Sequence, residues 1–233
     1  MPRKRPEDRI ERLIESATAV FTALGYRRAQ MADVAKAMGV APGTLYLYVE
    51  SKEALFDLVL RCAYAGSLPS PPPALPVPTP APGATIQMVE QRIAGEGRFP
   101  ALDEALARRR VTDAQAEFEG IVRGVYRNLY RNRCAIKLVD RCAPDYPELA
   151  AIWFQRGRRD LMARLTRYLQ DRRRRGLLRP IPDPPIAARV VLETVVLFAV
   201  HRHWDPSPQI MEERTVEDTL VQILVRGLMK EKH

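Results

Sequence analysis

The chain has 233 residues, 46% hydrophobic and 28% charged, with a formal net charge of +9, which is ample for one or two cored domains and too apolar for global disorder. Arg189 and Glu193 break the most apolar stretch, Ile186 to Val200, before it reaches the roughly 18 apolar residues of a membrane span. The basic start runs into Glu7, Asp8 and Arg9 rather than an apolar run, so no secretory signal is expected there. Cys62, Cys134 and Cys142 are odd in number and too sparse for a disulfide framework, so a reducing cytoplasm and no membrane partner are expected.

Apolar residues at 10, 13, 14, 17, 20, 21 and 24 follow the spacing of an amphipathic helix over 8–24, with Gly25 as its stop. A second, short helix is expected over 31–38, ended by Gly39. A third starts at Pro42, the favoured first helical position, and runs to Tyr48 or Val49. Ser51 reads as the N-cap of a fourth, with Leu55, Leu58, Val59 and Cys62 as its buried stripe. Eight prolines between positions 69 and 82 exclude a helix there and give a connector that is either extended and semi-rigid or disordered. Further helices are expected over 85–95, 100–110, 113–131, 134–142, 147–175, 185–204 and 213–231. Thr112 to Gln115 reads as a capping box for the third of these, and Pro206 and Pro208 punctuate the last two. No period-2 alternation appears, so the fold class is all-α. The expected domains are 1–66, a three-helix unit; 67–84, the proline-rich linker; and 85–233, a larger helical domain.

Charge adds little to this. Residues 1–66 hold ten Lys/Arg against eight Asp/Glu, so most of the excess lies beyond them. The runs Arg108–Arg110 and Arg172–Arg175 read as solvated helix faces.

The chemistry concentrates in residues 31–49. Two short helices joined at Gly39 and closed by the helix over 8–24 form a helix-turn-helix, whose second helix fits a major groove. Thr44 can reach a base edge or phosphate, Gly43 lets backbone approach the duplex, and Tyr46, Tyr48 and Lys52 offer donors to phosphate oxygens. Gly25-Tyr26, Met31-Ala-Asp-Val-Ala35, Gly39-Val40, Gly43-Thr-Leu-Tyr46, Tyr48 and Ser51-Lys-Glu-Ala-Leu55 resemble the DNA-binding domain of TetR-family transcriptional regulators. The resemblance covers about residues 8–60. It implies that 42–48 is the recognition helix and that Gln30, Met31, Pro42, Gly43, Thr44, Tyr46, Tyr48 and Lys52 face operator DNA. The family commonly has Ser or Thr at the positions of Ala29 and Gln30 and Ser at that of Ala41, so this chain lacks hydroxyl caps worth about 1 kcal/mol each. Arg3-Lys4-Arg5 fits a basic arm along the groove or an unremarkable chain start.

The same resemblance implies that 85–233 dimerises and binds a small-molecule effector, with no cofactor. Dimerisation is expected at Leu192, Val195, Val196, Ala199, Leu220, Ile223 and Leu224 on the last two helices. Aromatic candidates for the effector pocket are Phe118, Tyr126, Tyr130, Trp153 and Phe154. The function implied is a sequence-specific repressor, released from a palindromic operator by its ligand. The alternative is a helix-turn-helix-shaped interaction or architectural module with non-specific or no DNA binding. No Gly-x-Ser-x-Gly, P-loop or dinucleotide fingerprint occurs, and His201 and His203 face different sides of a helix, so neither an enzyme nor a metal site is expected.

Overall fold

The computed structural model describes residues 6–207 and 209–230, with backbone alone for residues 6–8 and 96. The Arg3-Lys4-Arg5 segment and Pro208 lie outside the described residues. The helices are α1 (Pro6–Leu24), α2 (Met31–Met38), α3 (Pro42–Leu45), α4 (Lys52–Ala65), α5 (Ala84–Glu96), α6 (Pro100–Ala107), α7 (Ala114–Arg131), α8 (Arg133–Cys142), α9 (Pro147–Ala150), α10 (Arg159–Arg174), α11 (Pro184–Ala199) and α12 (Glu213–Leu228). Strand-like pairing among the described residues is confined to two isolated bridges, Val49 with Val77 and Leu178 with Met229. The all-α expectation therefore holds. The helix expected over 147–175 is α-helical at its two ends, while Ala151–Arg158 widens to a π-helix, a change its apolar spacing does not announce. No described helix is long and apolar enough to cross a membrane.

The chain packs as two compact units. One comprises the N-terminal residues up to Arg92 together with Cys134–Phe154; the other comprises Ile93–Arg133 and the chain from Gln155 onward.

In the first unit, Ile10, Leu13, Ala17 and Phe21 form one fully buried stripe of α1. Against it lie Val34, Ala35 and Met38 of α2, and an α4 buried continuously from Ala54 to Leu60. Phe21 meets Phe56 edge-on at 5.1 Å, and Tyr26 lies 4.7 Å from Phe56 and 5.1 Å from Tyr146; such ring pairs add about 0.5–1.5 kcal/mol each beyond their buried area. The last carbonyls of α1, which have no helical partner, accept from Arg141: Nε to Thr22 at 2.9 Å and Nη2 to Ala23 at 3.0 Å. Gly25 follows at φ +80°, and a Cβ there would stand 3.0 Å from Asp145 Oδ2. Both the left-handed backbone and the close approach require glycine.

In the second unit α7 packs on α6, α11 and α12, and α10 packs on α6 and α11. The N-cap of α7 is Asp113, whose carboxylate accepts from Ala116 N–H at 3.0 Å, one residue beyond the expected Thr112. Asp183 caps α11 in the same way through Ile186 N–H at 2.8 Å, with Pro184 at its first turn. Arg123 of α7 reaches Glu217 at 3.0 Å and Asp218 at 2.6 Å on α12. Tyr126 and Arg202 both donate to the Glu213 carboxylate.

The arginine run of α10 is not wholly a solvated face. Arg172 is 1% exposed. Its guanidinium donates to Glu117 Oε1 at 2.8 Å, to the Ala105 carbonyl at 2.7 Å and to Asp171. It also covers the ring of Tyr168, which stacks on Phe118 at 5.9 Å. Burial acts to raise the pKa of Asp171, but the hydrogen bond from Arg172 and the charges of Arg175 and Arg172 outweigh it and hold this carboxyl below its usual value. Its contribution to stability is complete above the unfolded Asp pKa of about 3.9 and is lost as pH falls through the lowered folded value. Arg172→Ala leaves the buried Glu117 with only the half-exposed Arg108 at 3.3 Å and the Tyr168 hydroxyl at 3.2 Å, and urea denaturation is expected to show a loss of about 3 kcal/mol, the low end of the cost of breaking a buried ion pair. Arg172→Lys should not restore it, because one ammonium cannot span the three acceptors.

Candidate nucleic-acid interface

The helix-turn-helix is built from ends rather than middles. The α2 N-terminus lacks the hydroxyl that usually caps it, and Asp33 supplies a substitute: its carboxylate accepts from Gln30 N–H at 2.9 Å. This is one half of a capping box, and it places a negative charge at the positive end of the helix. At the other end Gly39 adopts φ +71°, and its N–H and that of Val40 return to the carbonyls of Ala35 and Lys36. A Cβ on Gly39 would meet nothing within 4 Å, so the left-handed dihedral alone demands glycine there.

Regular helix in α3 ends at Leu45, earlier than the expected Tyr48. Thr44 N–H bonds Ala41 O at 2.9 Å, and the chain then continues as a turn in which Tyr48 and Val49 N–H bond Leu45 O at 2.9 and 3.1 Å. Leu45 and Val49 are fully buried and anchor the element. Pro42 and Gly43 point outward with Tyr46, 51% exposed, and Leu47, 67% exposed, while Thr44 is half-buried. Tyr48 is only 7% exposed. Of the two tyrosines expected at phosphates, Tyr46 alone stands clear of the core.

Gln30 is exposed and Met31 half-buried at the start of α2. Lys52 is half-buried. Its Nζ donates to the Arg27 carbonyl at 3.3 Å and sits 4.6 Å over the ring of Tyr26. The Tyr26 hydroxyl donates to Glu53 at 3.2 Å, and burial with the adjacent Glu53 charge pushes its pKa upward, so it remains a donor. Arg27 N–H is held by Asp145 Oδ2 at 3.1 Å. The loop before α2 is thus fixed from both sides. Ser51 caps α4 as expected, accepting from Ala54 N–H at 3.1 Å.

Leu47 is not among the residues expected to face DNA, although it is the most exposed large side chain of this element. Its place between two tyrosines, after the buried Leu45, was the available signal. The surface therefore presents hydroxyls, an amide and an ammonium suited to phosphate oxygens and base edges. It adds an apolar group suited to a thymine methyl.

All three cysteines are free. Burial pushes the Cys142 thiol up to about 12 and the Cys62 thiol up to about 11, so neither supplies thiolate near neutral pH. Among the described residues no group of three or more His, Cys, Asp or Glu is placed to hold a metal ion.

The aromatics expected at an effector pocket divide between the units. Phe118 and Tyr126 are fully buried in α7, and Tyr130, half-buried, carries Arg133 over its ring at 4.3 Å. Trp153 and Phe154 lie half-buried in the first unit, with Trp153 Nε1 on Asp140 at 3.2 Å. Of the expected dimerisation residues, Leu192, Val195, Ala199, Leu220 and Leu224 are buried within the second unit itself, Val196 is half-buried, and Ile223 is 64% exposed. Outside that set, Ile186, Val190 and Leu197 form an exposed stripe along α11. Ile223, Met211 and Thr194 line a cleft of about 490 Å³ between α11 and α12.

Two family models match the chain. Residues 13–59 match the bacterial regulatory proteins of the tetR family, and residues 132–222 match the C-terminal domain of AefR-like transcriptional repressors. An uncharacterized HTH-type transcriptional regulator of Bacillus subtilis is 23% identical over 221 residues, 95% of this chain and 97% of that one. A 53-residue stretch, 23% of this chain and 26% of the relative, is 42% identical to the fatty acid metabolism regulator protein of the same organism. Among solved structures, the ketosteroid transcriptional regulator of Mycobacterium tuberculosis has a TM-score of 0.54 at 18% identity, covering 98% of both chains. A TetR-family regulator of Streptomyces coelicolor has 0.55 at 22% identity, covering 94% of this chain and 91% of the other. These structures share the fold. With both family models in the same chain order and the helix-turn-helix geometry described above, the chain belongs to the TetR family of bacterial transcriptional regulators.

Proposed function

We propose that this DNA-binding regulator is a homodimeric repressor acting in the cytoplasm, with residues 1–66 as its DNA-binding domain, 67–84 as a connector and 85–233 as the effector-binding and dimerisation domain. The observation that carries the DNA-binding half is the outward surface Pro42, Gly43, Tyr46 and Leu47, held up by the buried Leu45 and Val49. Thr44, Gln30, Met31 and Lys52 flank it, and Tyr48 acts from beneath as an anchor. A two-fold dimer presents two such surfaces about one helical turn apart, so the operator is expected to be palindromic.

The proposed effector is a small molecule with substantial apolar surface, met by Phe118, Tyr126 and Tyr130 of α7. Phe118 and Tyr126 are fully buried and partnered in the free chain. A ligand that reaches them has to change how α7 packs, which is the differential interaction a ligand-released repressor requires. The proposed dimer interface uses the exposed stripe Ile186, Val190 and Leu197 with Ile223, above the buried Leu192, Val195, Ala199, Leu220 and Leu224; Val196 lies at its edge.

Two measurements test this reading. In anisotropy titrations against DNA from upstream of its own gene, Tyr46→Phe and Lys52→Ala should each weaken binding to all sequences. Lys52→Ala should also reduce the salt slope by about 1, and Thr44→Ala should relax sequence choice. If the double variant Tyr46→Phe, Lys52→Ala keeps both affinity and salt dependence, the docking is wrong.

Removing α12 is a poor test of dimerisation, since it strips Val216, Leu220, Val221 and Leu224 from the core. Leu197→Asp with Ile223→Asp touches exposed positions instead, and sedimentation should find a monomer with unchanged helicity. A dimer of undiminished strength would place the interface elsewhere.

A further inference from the structure

The proline-rich segment between α4 and α5 holds eight prolines, none of which has an N–H to donate. The residues set between them do, and they use it. Val77 N–H donates to Tyr48 O at 2.8 Å, and Val77 O accepts from Glu50 N–H at 3.0 Å, a one-residue parallel bridge. Two residues on, Thr79 N–H donates to the Glu50 carboxylate at 2.9 Å, and its hydroxyl donates to Ser51 Oγ at 2.8 Å. A third tie follows in the first turn of α5: Thr85 Oγ1 donates to Asp57 Oδ1 at 2.8 Å, with both residues buried and Asp57 also paired to Arg61.

The groups captured are not arbitrary. Tyr48 O and Glu50 N–H belong to the turn that follows a four-residue α3, where no helix continues to satisfy them. Ser51 is the N-cap of α4. Each proline already fixes its own φ, so less conformational freedom is lost when the segment is laid against that turn.

We propose that residues 67–83 form a strap that positions the recognition turn, with Val77 and Thr79 as positioning residues acting through Tyr48, Glu50 and Ser51. Its consequence for DNA rests on the operator-binding reading above. The strap sets where Tyr46 and Leu47 stand, and so governs discrimination between operator and unrelated DNA more than bulk affinity.

The test replaces Val77 in the full-length chain. Val77→Pro deletes the donor and keeps the chain extended, since residue 77 already lies between Pro76 and Pro78. Val77→Ala keeps the donor. Hydrogen exchange is followed over residues 46–51 in the free protein, and affinity is measured for upstream operator DNA and for an unrelated duplex of the same length. The expected result is faster exchange in Val77→Pro, operator binding weakened at least about fivefold, unrelated-DNA binding unchanged, and wild-type behaviour in Val77→Ala. Unchanged exchange and unchanged operator affinity in Val77→Pro overturn the proposal. So does an equal loss on both DNAs, or an equal loss in Val77→Ala. If Val77→Pro does not fold, Thr79→Val, which deletes the bond to Ser51 at similar volume, decides by the same criteria. A wild-type chain that fails to distinguish operator from unrelated DNA sinks the operator reading, and the exchange measurement then decides the strap alone.

Discussion

The surface proposed to meet DNA rests on α3, a helix of one turn, and a helix that short has almost no stability of its own in water. Its shape is imposed by what surrounds it. Leu45 and Val49 are sunk completely into the core, Gly39 reverses the chain at the near end, and the bridge to Val77 closes the far end. The loop leading into α2 is held in turn by Asp145, Lys52 and the capping carboxylate of Asp33. Each tie is an ordinary hydrogen bond of modest net worth. Together they convert a segment without intrinsic preference into a fixed presentation of Tyr46 and Leu47.

The second unit solves a different problem. Its central helix α7 carries Glu117, Arg123 and Tyr126 toward its neighbours, and each is met by an oppositely charged or hydrogen-bonding group. Buried ion pairs of the Arg172–Glu117 kind add little net stability compared with apolar packing. They do penalise any arrangement of α6, α7 and α10 that leaves one partner alone. Meanwhile apolar side chains remain outside, on α11 and at Ile223, the surface assigned to the proposed dimer interface.

Much of this was legible in the residues. The α1 stripe, the bounds of α2, the glycine reversal, Pro42 at the head of α3 and the Ser51 cap all follow from local chemistry, because each depends on neighbours a few positions away. What depends on distant partners was not legible. Arg172 reads as one more exposed arginine until α6 and α7 supply its acceptors, and Tyr48 reads as a phosphate contact until its ring is seen packed inside. Leu192, Val195 and Leu220 have the right spacing for a dimer seam, but spacing cannot separate a helix face turned to its own core from one turned to a second copy. The prolines at 69–82 argue correctly against helix. They say nothing of Val77 and Thr79, whose partners lie 27 to 29 positions away.

Lys52 illustrates what such local tethering means for association. A lysine on an open surface carries about 2 kcal/mol of rotamer entropy, much of which is forfeited when the ammonium is immobilised on an anion. Here the side chain is already settled over the Tyr26 ring with one of its three donors on the Arg27 carbonyl, so most of that freedom is surrendered on folding, before any duplex arrives. Two donors remain for a phosphate oxygen. The contact would then depend less on temperature-sensitive ordering of the side chain and more on counterion release from the DNA.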